Sequence, residues 1–183
     1  MSGLQRLDGR LLFKVRWDSA VQREEEIGPV WDRRVNRIDV CLRSLGGEPL
    51  AFVHGPSRAI CAESRGTLSR IATERTGQIV PLKPGTRLFD WIRLQDAARL
   101  ISAGVNRPHG AGIRKFNLGG PFETDDAEWE EIRASGTVVY LRYESHDGNE
   151  YAVYTNGTFY GEGPGFDHNR METYVIQKVI PRL

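Results

Sequence analysis

The chain has 183 residues, 39% of them hydrophobic and 27% charged, with a formal net charge of +1. That is enough chain for a full core and too apolar for disorder, and no apolar run approaches the 18 or so residues of a membrane helix. The N-terminal stretch lacks the apolar centre of a secretory signal, so a cytoplasmic protein with no membrane partner is expected.

The near-zero total hides a segregation. Residues 1–50 carry nine basic and eight acidic side chains, residues 51–122 eleven and four, and residues 123–183 five and twelve. Arginine outnumbers lysine 21 to 4. Cys41 and Cys61 are too few for a disulfide framework or a four-cysteine zinc site, and buried reduced thiols are expected. Without secretion, the Asn156-Gly157-Thr158 sequon reads as a turn.

Leu11, Phe13, Val15 and Trp17 alternate with less apolar neighbours, the period of a strand with one buried face. After the charged stretch 23–26 and Gly28-Pro29, the alternation resumes at Ile38, Val40 and Leu42. A turn at Gly46-Gly47 and an apolar run over 50–53 complete a hairpin. Ser57 is placed to cap a helix reaching about Arg75, with Ile60, Leu68, Ile71 and Ala72 on one stripe and Gly77 as its stop. Gly66 weakens its interior.

Short strands are expected over 78–82 and 86–92. Leu94, Ala97, Ala98 and Ile101 then have the i, i+3, i+4, i+7 spacing of a helix that Gly104 would end. Residues 105–122 show no periodicity. An acidic helix opens at Thr124 or Asp125, where Asp125 and Glu128 have capping-box spacing, and closes near Ser135-Gly136. The remainder reads as strands over 138–144, 150–155, 158–161 and 172–180. The fold class is therefore α+β, antiparallel sheets with a C-terminal β-meander packed against two to three helices. One domain over 1–183 is the economical organisation; a subdivision would fall between 1–82 and 83–183.

If Asp147-Gly148 and Asn156-Gly157 are two-residue type I′ turns, Leu141 faces Tyr154, Tyr143 faces Ala152 and Tyr154 faces Phe159. Val139 and these residues form an apolar face. The opposite face carries Tyr140, Arg142, Glu144, Tyr151, Val153, Thr155, Thr158 and Tyr160, aromatic and ionisable together, which suits stacking of a planar ring fixed by a charge.

The segment 105–122 is far longer than the usual connection of about 4 to 6 residues. It contains Gly110, Gly112, Gly119 and Gly120 with Arg107, His109, Arg114 and Lys115. Glycines let backbone amides approach an anion while the cationic groups supply charge. The expected function is binding of an anionic, phosphate-bearing small molecule or nucleotide, compatible with group-transfer or NAD-using chemistry. Arg107, His109, Arg114 and Lys115 are the primary ligand-binding candidates. Tyr140, Arg142 and Tyr151 are secondary ones, and His109 and Glu144 are the candidate catalytic groups. The segment is neither a P-loop nor a dinucleotide fingerprint, lacking Gly-Lys-Ser/Thr and the third glycine.

The Cys61-Ala62-Glu63 triplet is similar to the first zinc motif of cytidine-deaminase-like enzymes, but the Pro-Cys-x-x-Cys half is missing and no metal site is expected. The strand, helix and glycine read over 86–108, with the terminal strand over 172–181, resemble ADP-ribosyltransferase-like toxins, a likeness that would give Arg87 a binding role. Two other classes compete with small-molecule binding. One is a non-catalytic protein-interaction module that meets a charged partner through opposed basic and acidic surfaces. The other is a metal-independent ribonuclease or nucleic-acid-binding domain using Arg142, His146, Tyr154 and Lys178, disfavoured by the acidic last third.

Overall fold

The computed structural model describes residues 2–7, 10–25, 28–74, 79–107, 113–117 and 126–183. They form two compact units, Met1–Ile79 and Val80–Leu183. Both are mixed α and β, with antiparallel sheets throughout.

The first unit is a four-stranded sheet in sequence order: β1 (Ser2–Leu7), β2 (Arg10–Glu25), β3 (Gly28–Leu45) and β4 (Glu48–His54). The expected hairpin is present as β3–β4, paired from Leu45↔Glu48 to Asp39↔His54, and β2 also pairs with β3, from Leu11↔Leu42 out to Glu25↔Gly28, which the sequence reading did not foresee. Gly46 and Gly47, both at positive φ (60° and 91°), close the two-residue turn to β4 as the sequence implies. Helix α1 (Arg58–Glu74) starts where Ser57 predicts it, the Ser57 hydroxyl accepting from the Ile60 amide at 3.3 Å. Val15, Ile38, Val40 and Ile60 form the buried centre, with Phe13, Trp17, Leu42, Val53 and Leu68 packed around it. The Trp17 indole donates to Glu63 of α1 at 2.7 Å. The expected stop at Gly77 lies outside the described residues.

The second unit is a five-stranded sheet in the order β6-β5-β7-β8-β9. Its strands are β5 (Ala97–Asn106), β6 (Ile113–Asn117), β7 (Thr137–Ser145), β8 (Glu150–Tyr154) and β9 (Phe159–Glu162). Helices α2 (Thr86–Trp91), α3 (Asp126–Ala134) and α4 (His168–Tyr174) complete it. Helix α3 lies against β5 and β7, and α4 against β9. Gly136 at φ 149° ends α3 where expected; its expected capping box begins outside the described residues.

Four expectations do not hold. Residues 86–92 are helical rather than extended: Leu88, Phe89 and Ile92 share one helical face and are at most 1% exposed. A π-helical turn, Ile92–Asp96, follows. The helix expected from Leu94 to Ile101 is absent, because β5 begins at Ala97 and Leu94 is 60% exposed. A central strand buries both faces, so Leu100, Ser102, Ala103, Gly104 and Val105 are all buried and show no alternation; the residues with helical spacing, Leu94, Ala97, Ala98 and Ile101, are not among them. The final stretch 172–180 is not a strand. Asp167 accepts from the Arg170 amide at 2.8 Å and caps α4, which continues through a π-helical turn, Val175–Val179. Residues 79–82 are irregular as well. The strands that carried the likeness to ADP-ribosyltransferase-like toxins are thus helices.

Candidate functional site

The meander register differs from expectation by one residue at each turn. Gly148 donates to the Ser145 carbonyl and Ser145 to that of Asn149; Gly157 donates to the Tyr154 carbonyl and Tyr154 to that of Thr158. Both glycines sit in the left-handed region (φ 75° and 78°). These are three-residue loops with a glycine bulge, not two-residue type I′ turns. Leu141 therefore pairs with Val153 and Tyr143 with Tyr151, while Tyr140 pairs with Tyr154. A one-residue slip moves a strand's side chains to the other face. Tyr151 and Val153 are consequently core residues, 2% and 0% exposed, and Tyr154 leaves the core face. The second slip compensates the first, so Phe159 keeps the core side.

The other face carries Tyr140, Arg142 and Glu144, as the sequence reading placed them, with Glu150, Tyr154, Tyr160 and Glu162. Its charges pair with one another. Arg99 meets Glu144 at 2.9 Å; the Arg142 Nε donates to Glu150, and its Nη2 lies 3.9 Å from Glu162. The hydrogen bond that it donates to Glu150 holds the Arg142 guanidinium above its ordinary pKa. The Tyr140 and Tyr154 rings pack at 5.2 Å, tilted by 31°. Tyr160 donates to Glu162, which raises the phenol's pKa. A shallow depression of about 340 Å³ opens here, lined by Glu144, Gly148, Glu150, Glu162 and Gly163. Its lining is acidic, and Arg142 is already engaged by carboxylates.

The long segment contains structure. Its first residues close β5, and 113–117 form β6, paired Gly104↔Lys115, Val105↔Arg114 and Asn106↔Ile113. The register places Arg107 beside the start of β6, so positions 107, 114 and 115 belong to one end of this edge hairpin. Arg107 is exposed and forms no ion pair among the described residues. From 97 to 122 the chain contains four basic residues and no acid. His109, Gly110, Gly112, Gly119 and Gly120 lie outside the described residues.

Sequence reasoning missed a buried polar cluster. The Tyr143 hydroxyl donates to Asp96 Oδ2 at 2.7 Å and lies 2.6 Å from the Tyr174 hydroxyl. Lys178 Nζ reaches Asp96 Oδ1 at 3.3 Å and lies 5.5 Å from the Trp91 ring centre. Tyr151 stacks on Tyr174 at 4.3 Å and donates to Asp147, which also holds Arg170. Burial raises the pKa of Tyr143 and Tyr174, and burial with the nearby Asp147 carboxylate pushes Tyr151 up to about 12. The missed signal was Tyr174 and Lys178 at i, i+4, a spacing hidden by reading 172–180 as a strand.

Cys61 is half-buried, and that burial pushes its thiol above the ordinary pKa. Among the described residues no group of His, Cys, Asp and Glu could hold a metal, and no helix is long and apolar enough to cross a membrane. The chain is thus a mixed α+β protein whose candidate surfaces are the end of the β5–β6 hairpin that carries the exposed Arg107 and an acidic sheet face. No family model, no curated protein and no solved structure matches it.

Proposed function

We propose that the second unit binds an anionic, phosphate-bearing small molecule or nucleotide at the basic end of the β5–β6 hairpin. The observation that carries this reading is the contrast among arginines of one sheet. Arg99 and Arg142 are neutralised by carboxylates, whereas Arg107 is exposed without an ion pair among the described residues. It stands in an acid-free stretch of 26 residues, and the register adds positions 114 and 115 to the same end. Charge-assisted hydrogen bonds from guanidinium groups to phosphate are the strong kind, which makes such an end a phosphate site.

A thermal-shift series with ATP, NAD and pyrophosphate tests the reading, because a ligand that binds only the folded chain raises its stability by mass action. At least one should raise the melting temperature by several degrees. Arg107→Ala should weaken that ligand by roughly tenfold to a hundredfold. No shift with any of the three, or a shift that survives both Arg107→Ala and the Arg114→Ala/Lys115→Ala pair, rejects it. The acidic depression of Glu144, Glu150 and Glu162 supports a second reading, a docking surface for a basic protein partner. Such binding would weaken steeply with salt and with Glu150→Gln.

A further inference from the structure

We propose that the β2–β3 ribbon is a homodimerisation arm that packs face to face against the same ribbon of a second copy of this chain. Strand β1 accompanies β2 only as far as Lys14, and β4 accompanies β3 only to Asp39. Beyond them, β2 and β3 continue as a two-stranded ribbon to Glu25 and Gly28, about 35 Å at the usual rise. An isolated two-stranded ribbon is marginal in water. Helix α1 supports its inner face at Trp17 through Glu63, but every described residue of the outer face beyond Lys14 and Asp39 is exposed.

That outer face is complementary to itself. Trp31 and Val35, 65% and 40% exposed, are two of the large apolar side chains left open in the first unit. Arg16 and Arg37 stand directly opposite each other at the ribbon's base, and neither has a carboxylate partner among the described residues. Like charges so placed repel. Glu24 lies on the same face toward the tip. A two-fold axis in the interface plane, perpendicular to the strands and passing through the Ala20↔Arg33 pair, maps position 31 onto 35 and position 24 onto 16. It seats Trp31 of each copy on Val35 of the other and brings each Glu24 to the other's Arg16, the reciprocal contact pattern of a two-fold interface. Ala20 at the axis permits close approach, and Arg33 beside it is already neutralised by Asp18. The balance on this face, Arg16, Arg33 and Arg37 against Asp18 and Glu24, is nearly even, which favours a second copy over a nucleic-acid backbone.

Sedimentation velocity of the full chain should show a concentration-dependent dimer. Trp31→Lys should raise its dissociation constant by about thirtyfold or more, with an unchanged circular dichroism spectrum because the side chain is exposed. Glu24→Arg should weaken the dimer, and adding Arg16→Glu should restore it. In a Cys61→Ser background, Ala20→Cys should cross-link two copies on mild oxidation, whereas Val21→Cys on the inner face should not. A monomer at every concentration, a dimer indifferent to both Trp31→Lys and the charge swap, or protection of the ribbon by nucleic acid alone overturns the proposal.

Discussion

Gly104 stands in β5 opposite Tyr140, and its lack of a side chain is what lets the Tyr140 ring lie across the strand. A Cβ there would collide with the ring carbons Cδ1 and Cε1. Gly104→Ala should therefore cost about 1–3 kcal/mol in urea unfolding, and Tyr140→Ala should recover part of that loss, a coupling a double-mutant cycle measures. Equal and additive losses would contradict the contact. Tyr143 makes a second test. Phenylalanine there leaves Asp96 Oδ2 without its donor and should cost about 1–3 kcal/mol. Tyr143 and Tyr174 hold their protons more tightly folded than unfolded, because burial disfavours the phenolate. Their contribution is complete below the free phenol's value near 10 and declines as pH rises past it. Unfolding by urea should accordingly need less denaturant at about pH 11 than at about pH 8, and the difference should shrink in Tyr143→Phe.

Elements separated by how many competing periods their residues allowed. Helix α1 was legible because a cap, a stripe and a length agreed, and only its Gly66 argued against it. A Cβ at Gly66 meets nothing within 4 Å, so Gly66→Ala should stabilise the first unit by about 0.5–1 kcal/mol in chemical denaturation. Strand β5 was illegible because a strand buried on both faces loses its alternation, and Leu94, Ala97, Ala98 and Ile101 imitated a helix. The terminal helix was hidden by its β-branched run, although Asp167 was an N-cap and Tyr174, Lys178 an i, i+4 pair. The meander strands were legible but their register was not. Asp-Gly and Asn-Gly serve both two-residue turns and three-residue loops with a glycine bulge, and only the backbone bonds of Ser145 and Tyr154 decide between them. Of the sheet-face residues named from sequence, Tyr151 and Val153 are the two that this slip carried into the core.

At the scale of the whole molecule, each unit has its own sheet and its own buried centre, and charge is divided more finely than the total of +1 implies. In the second unit the carboxylates of β7, β8 and β9 hold Arg99 and Arg142, whereas Arg107 has no ion pair among the described residues. The exposed charge of Arg107 supports the anion-binding reading. The most direct test is a titration of isotopically labelled protein with ATP, NAD and pyrophosphate followed by amide chemical shifts. The account predicts that for at least one of them the amides of 105–107 and 113–117 move together and saturate, while those of Glu144, Glu150 and Glu162 stay in place. No movement with any of the three, or movement confined to the Glu144, Glu150 and Glu162 depression, would contradict it.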